Sequence, residues 1–350
     1  MIPLQDRLKL AEEWLLNSGI QAPCGGIHAW VDATTSEPSF LYSEATGYFI
    51  STMSFLYRQE QKDEFVRAIK DTFDFLQNEA LGDQNLYRCR REISSSKFAE
   101  TYCLFDNGII LLGLTNALNS AVPLDIMSAA RDLGDAMINR FAVDTEEPIL
   151  RLKDGKPIIT GNKWSLQRKP HYIKVAAGLK QLSYLTRDKS YDAAANIFID
   201  NIVLHFLDHG GLQTADGDEK TYLHPFCYAI EGLHLLSRPC DSLVTWLRKC
   251  IKTEQYLPAQ FPSGEFVENT DSLAQSLRIL LFSGHKETKE SQLLLERLLS
   301  YQVLDGTRQS RGGFRYSSNK PNHLNSWSTM FAIQAISGYE SNNREMMPFV

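Results

Sequence analysis

Six short stretches of the 350-residue chain set ionisable or ring-bearing side chains just ahead of apolar segments. They are Tyr42-Ser-Glu44-Ala-Thr-Gly-Tyr48, Phe105-Asp106-Asn107, Lys169-Pro-His171-Tyr172, His224-Pro-Phe-Cys-Tyr228, Asn269-Thr-Asp271 and Asn325-Ser-Trp327. Cleaving a glycosidic bond takes two carboxyl groups, one acting as general acid and the other as base or nucleophile. Glu44, Asp106 and Asp271 are the candidates. Epimerisation or β-elimination beside a sugar carboxylate takes instead an acid and a base, with arginine neutralising the carboxylate as the enolate forms. His171, His224, Tyr48 and Tyr228 are residue types suited to that work. Asp, Glu, Asn and Ser are also favoured in first helical turns, as caps and as partners of the helix dipole, which accounts equally well for any one of them alone. Histidine and tryptophan are not standard caps, so His171, His224 and Trp327 turn the set toward a ligand-binding floor.

Charge and aromatic content reinforce that reading. Three connections are strongly basic: Arg88, Arg90, Arg91 and Lys97; Lys163, Arg168, Lys169 and Lys174; and Arg308, Arg311, Arg315 and Lys320 with His323. No acidic residue lies between Asp305 and Glu340, in a chain whose net charge is -6. Convergent arginines suit carboxylate, sulfate or phosphate ligands, and Arg311 and Arg315 are the expected readers of an acidic saccharide. Trp30, Tyr42, Tyr48, Tyr87, Trp164, Tyr172, Tyr222, Tyr228, Phe314, Tyr316 and Trp327 interleave with these loops. Flat rings beside hydrogen-bonding groups fit a sugar, whose axial face is apolar and whose edge is polar.

The elements that must position these residues are helices. Apolar residues recur at helical spacing near 3–18, 43–58, 62–77, 104–119, 124–141, 170–186, 190–207, 223–237, 241–252, 269–283, 288–301 and 325–338. Ser190 and Asp241 are placed as N-caps, and Asn269 precedes another helix. Charged amphipathic segments alternate with segments apolar nearly all round, and the latter are normally buried. Inner-type segments repeat Leu-Leu-Gly-Leu, Ala-Ala-Gly-Leu and Ile-Glu-Gly-Leu, and a Gly-Gly-apolar triplet recurs at 25–27, 210–212 and 312–314. Such self-similarity marks a repeat architecture. Outer-to-inner connections run to about 15–28 residues while inner-to-outer ones take roughly 3–6, which puts every long loop at one end. The expected fold is all-α, an (α/α)6 toroid of six helical hairpins in one domain over 1–350, with a short tail at about 339–350. The site is expected where inner helices begin.

The motifs Leu41-Tyr-Ser-Glu-Ala-Thr-Gly-Tyr-Phe-Ile50, His224-Pro-Phe-Cys-Tyr-Ala-Ile-Glu-Gly-Leu233, Asp271-Ser-Leu-Ala-Gln-Ser-Leu-Arg278 and Asn325-Ser-Trp-Ser-Thr-Met-Phe-Ala-Ile-Gln334 resemble those of the α/α-toroid proteins, often labelled squalene-cyclase or prenyltransferase-like, that accompany bacterial surface-polysaccharide biosynthesis. The likeness spans about residues 20–338. It implies a toroid and a glycan context, and it transfers no catalytic role.

Several classes are disfavoured. There is no Asp-x-Asp-Asp acid motif, no Asp-Asp-x-x-Asp diphosphate box and no Cys/His set at zinc spacing, so neither isoprenoid chemistry nor a metal is expected, and no cofactor is assigned. The six dispersed cysteines read as reduced thiols. The acidic balance argues against nucleic acid, no apolar run approaches a membrane span, and a cytoplasmic protein is the simplest reading. Hydrolysis of an acidic, uronate-type saccharide by paired carboxyls is preferred. A lyase or epimerase using His and Tyr comes next, then a non-catalytic binder of polysaccharide or partner protein. Sugar identity and oligomeric state are not read from the sequence.

Overall fold

The computed structural model describes residues 2–95, 97–158, 169–208, 212–214, 220–262 and 267–341, without the side chains of 204–208. Its described helices are α1 (Leu4–Asn17), α2 (Ser43–Glu60), α3 (Asp63–Phe75), α4 (Leu104–Asn119), α5 (Met127–Phe141), α6 (Ile173–Thr186), α7 (Lys189–Asp208), α8 (Leu223–Leu235), α9 (Asp241–Glu254), α10 (Thr270–Phe282), α11 (Lys289–Ser300) and α12 (Ser326–Glu340). The even-numbered helices form a closed inner ring. α2 packs on α4, α4 on α6, α6 on α8, α8 on α10 and α10 on α12, and α12 returns to α2. Outside them α1 packs on α12, α3 on α2, α5 on α4, α7 on α6 and α11 on α10, with α9 against α10 and α11. This is the (α/α)6 toroid expected from the alternation of helix character.

The alternation has a direct cause in burial. From α4, Leu104 and Asp106 to Ala117 are all buried, whereas α3 buries one stripe, Phe65, Ala68, Ile69, Thr72 and Phe75, and turns its charges outward. A helix surrounded by neighbours loses water on every side, so only an apolar sequence tolerates the position. The repeated glycines serve this packing. At Gly113 of α4 a Cβ would lie 2.5 Å from the Gly47 carbonyl oxygen of α2, so two bare backbones set how closely those helices approach. In the Gly-Gly triplets, Gly25 (φ +94°) and Gly312 (φ +99°) adopt the left-handed region that disfavours a side chain. A Cβ there would collide with the carbonyls of Asp71 and Leu10, on outer helices α3 and α1. The third triplet, at 210–212, falls largely outside the described residues.

The long connections carry short antiparallel strands: β1 (Trp30–Asp32), β2 (Leu41–Tyr42), β3 (Arg90–Arg91), β4 (Thr101–Cys103), β5 (Arg151–Lys153), β6 (Lys156–Pro157), β7 (Thr221–Tyr222), β8 (Gln260–Phe261), β9 (Arg315–Ser317) and β10 (Lys320–Asn325). They pair between successive loops, β2 with β3, β4 with β5 and β7 with β8, and β1 pairs with β10 so that the first loop is stitched to the last.

Local expectations needed two corrections. Ser190 is not the cap of α7; Asp188 takes that role, its Oδ1 accepting from the Ser190 N–H at 2.9 Å and from its hydroxyl at 2.7 Å. Asp241 is the first residue of α9 rather than its cap. Asn269 does precede a helix, standing at the N-cap position of α10 without a side-chain cap bond. No described helix is long and apolar enough to cross a membrane.

Candidate active site

Each inner helix begins where a long connection ends, so the six polar helix starts converge. A cavity of about 250 Å³ is lined by Glu44 from α2, Phe105 and Asp106 from α4, and His171 and Tyr172 from the single turn Pro170–Tyr172 ahead of α6. His224 and Tyr228 from α8, Asp271 from α10 and Trp327 from α12 complete the ring. The strands add Tyr42, Cys103, Arg151 and Tyr316. Glu44, Asp106, Asp271, His171, His224, Tyr172, Tyr228 and Trp327, all singled out from sequence, therefore share one space.

The carboxyls differ in their surroundings. Glu44 accepts a hydrogen bond from the Tyr42 hydroxyl, yet its pKa is pushed up to about 7, first by burial and then by the negative charge of Asp106. Asp106 is itself held well above the ordinary carboxylate range, by burial and then by Cys103, with the Cys89 thiol and Arg151 pulling the other way. Two carboxyls in one dry space resist ionising together, so the pair retains a proton near neutrality. Asp271 is tied down instead: it accepts from the Ser272 N–H at 2.6 Å and from the Trp327 indole at 3.2 Å, and lies 3.6 Å from His224 Nδ1.

The histidines are set apart as well. Burial, with the charge of His224 added, lowers His171 to about 3, so its ring is neutral. Nδ1 of His224 is 2.7 Å from Gln275 Oε1, and the amide of Gln275 donates toward buried Glu231 at 3.4 Å. Glu231 thereby orients Gln275, whose oxygen accepts from Nδ1, leaving Nε2 as the basic nitrogen of His224. Below the cavity the hydroxyls of Tyr48 and Tyr228 are hydrogen-bonded to each other. Tyr48 does not reach the cavity wall and acts as its support.

Beneath lies a group that sequence reasoning missed. Lys174 of α6, Glu231 of α8 and Arg278 of α10 are fully buried, with Lys174 Nζ 2.8 Å from Glu231 and 4.5 Å from the centre of the Tyr228 ring, and Arg278 also bonded to Glu231. Glu231 is held below the usual range: burial opposes this, but Arg278 and then Lys174 outweigh it. Burial brings Lys174 down to about 8. Lys174 was counted with a basic loop; it is a core residue because its position lies in an inner helix.

The basic loops do not converge as expected. Arg88 pairs with Glu100, Arg91 with Glu79 and Arg90 with Glu92. Arg311 and Arg315 are not in the cavity wall, and Lys163, Trp164 and Arg168 lie outside the described residues. Among the described residues the guanidinium that does reach the cavity is Arg151, which stands opposite Cys103 in the β4–β5 pairing. No sequence signal distinguished it, since it sits in a strand of a connection. Cys89 and Cys103, though 14 residues apart in the chain, meet as free thiols: the Cys89 thiol donates to Cys103 Sγ at 3.1 Å, raising Cys89 and lowering Cys103. Their sulfurs and an Asp106 oxygen lie within 4.8 Å of one another, a spacing that could hold a metal ion. Arg151 beside all three competes with a cation for the same charge.

No family model matches the sequence, and no curated sequence matches it. Solved structures do share the fold. An α-amylase from Clostridium perfringens superposes with a TM-score of 0.73 at 15% identity, over 95% of this chain and 98% of that one. Cellobiose 2-epimerase from Bacillus thermoamylovorans gives 0.72 at 10% identity, over 95% and 98%. An unsaturated glucuronyl hydrolase from a Bacillus species, described as responsible for degrading glycosaminoglycan, gives 0.65 at 12% identity, over 95% and 96%.

Proposed function

We propose that the chain hydrolyses a glycosidic bond in a saccharide carrying a carboxylate, using Glu44 as general acid and Asp106 as base or nucleophile. The observation that carries this is the pair itself: two carboxyls from adjacent inner helices face one cavity, and the negative charge of Asp106 raises the cost of ionising Glu44. A glycosidase needs one carboxyl protonated and one ionised at the same pH. Glu44, at about 7, still holds much of its proton at neutral pH; Asp106 is raised as well, and the Cys89 thiol and Arg151 are the groups that pull it back toward the anion. Tyr42 and Trp327 meet edge to face, as do Tyr316 and Trp327, and these rings offer a surface for a sugar's apolar face. Arg151 is the group placed to read the carboxylate. That toroids of this shape include an amylase, an epimerase and a glucuronyl hydrolase fits a saccharide ligand. A cytoplasmic location and a glycan-assembly context belong to the same proposal.

One observation favours a second reading. The orientation of His224 through Gln275 presents Nε2 as a base, which an epimerase or lyase acting beside a sugar carboxylate would use.

The separating experiment follows three products from the same uronate-containing oligosaccharides: new reducing ends, the ultraviolet absorbance of an unsaturated uronate, and exchange of ring C–H for deuterium. Hydrolysis gives the first alone. With an aryl glycoside that has a good leaving group, Glu44→Gln should retain most activity because no acid is needed, whereas Asp106→Asn should not. Unsaturated uronate appearing together with the new reducing ends, as β-elimination gives, or deuterium uptake with no new reducing ends, as epimerisation gives, would replace this reading by the histidine one.

A further inference from the structure

A second chamber of about 460 Å³ opens against the cavity just described. The two share one wall, formed by Tyr42, Cys103, Asp106 and Arg151. Past that wall the second chamber runs from Phe40, just ahead of β2, to Ala99 and Thr101 at the approach to β4, with Arg90 of β3 at its edge. The first cavity alone is smaller than the ~300–1,000 Å³ usual for ligand sites. The two volumes taken together have room for more than one sugar ring, with Asp106 in the wall common to both.

The chemistry changes across the shared wall. Among the described residues the inner cavity sets three carboxyls, Glu44, Asp106 and Asp271, against one guanidinium. Among the described residues the outer chamber sets two guanidinium groups, Arg90 and Arg151, against a single carboxyl, Asp106. Its wall carries an aromatic ring, Phe40, which meets Trp30 edge to face with centroids 5.2 Å apart, and the Arg90 guanidinium lies over that ring, 5.1 Å from its centre. A flat ring takes the apolar face of a sugar, and a guanidinium beside it takes a carboxylate. The ion pair of Arg90 with Glu92, 3.0 Å apart, leaves both side chains more than half exposed. Such pairs are weak, so Arg90 can exchange its partner for a ligand.

We propose that the outer chamber is a saccharide subsite that holds the neighbouring residue of an oligosaccharide in acidic, uronate-type form, with the linkage to be cut lying across the shared wall at Asp106. The place of the linkage rests on the hydrolytic reading above; the binding does not.

The test uses the full-length Glu44→Gln protein, which blocks turnover, in calorimetric titrations. The probes are gluco- and galacto-configured monosaccharides, their neutral disaccharides, and the same disaccharides with one hexose replaced by its uronate. A disaccharide should bind at least about tenfold tighter than its monosaccharide, and the uronate form tighter still. Phe40→Ala should weaken disaccharides by about fivefold and spare monosaccharides. Phe40→Leu, which keeps apolar bulk but loses the flat ring, should do the same with the fold intact. Arg90→Gln should abolish the preference for the uronate form and leave neutral disaccharides unchanged. Equal affinity for mono- and disaccharides, no binding by any probe, or equal losses for charged and neutral ligands in Arg90→Gln would overturn the proposal. Tight disaccharide binding by Glu44→Gln with no hydrolysis by the unaltered protein would sink the hydrolytic reading and leave the subsite standing.

Discussion

Two carboxylates on inner helices, Glu44 in the cavity wall and fully buried Glu231 beneath it, meet opposite electrostatic fates. Glu231 is clasped by Lys174 and Arg278 and stays ionised. Glu44 faces another carboxyl and tyrosine hydroxyls, and rises to about 7. Desolvation acts on both; what differs is the charge placed beside them. A compensated carboxylate ties helices together and holds a shape. An uncompensated one is costly to ionise, and that cost is what makes it a proton donor at neutral pH.

The comparison breaks most sharply in activity. Glu44→Gln and Asp106→Asn should each lower kcat/KM on an unactivated oligosaccharide by about 10²–10⁴, the usual worth of a positioned acid or base. The rate of the unaltered protein should fall as pH rises through about 7, where Glu44 loses its proton. Glu231→Gln should act on stability, because it leaves Lys174 and Arg278 buried without an anion. A loss of roughly 3–5 kcal/mol, read from a urea midpoint, is expected. An unchanged midpoint would mean that the three charges are not a unit.

The next effect has the opposite sign. A carboxyl whose folded pKa lies above its unfolded value of 4.5 weakens the fold as pH climbs from 4.5 to about 7. Glu44→Gln removes that cost, so the variant should be the more stable protein above pH 7, by up to about 3 kcal/mol, and should match the unaltered one below pH 4.5. Thermal unfolding at the two pH extremes checks this. For Glu231, whose pKa is lowered, the stabilisation is present above its unfolded pKa and disappears as pH falls. Smallest of all, Arg311→Ala lies off the cavity and should change saccharide affinity by less than about twofold; a large loss for acidic ligands alone would restore the last loop as a reader of charge.

Much of the site was legible in the residues themselves. Glu44, Asp106, His171, His224, Asp271 and Trp327 were each placed at the start of an apolar segment, and a ring of helices brings every such start to one end. The arginines were misjudged because a count of basic residues in a loop says nothing about their neighbours: Glu100 and Glu79 claim Arg88 and Arg91. Lys174, grouped with a basic connection although it falls within the 170–186 helical segment, is the second residue of α6.

By itself the sequence determined the alternation of inner and outer helices, because apolar periodicity is a local property that each segment carries alone. It also determined which residues begin the inner helices, since chain order and loop length do not depend on the final packing. Only the tertiary structure decided that Arg151 from β5 would reach the cavity, that Cys89 would meet Cys103, and that Lys174, Glu231 and Arg278 from three helices would share one buried cluster. It decided as well that Glu44 and Asp106 would oppose each other. Those facts depend on distances of a few ångströms between residues far apart in the chain, and both Coulomb energy and desolvation are settled at that scale.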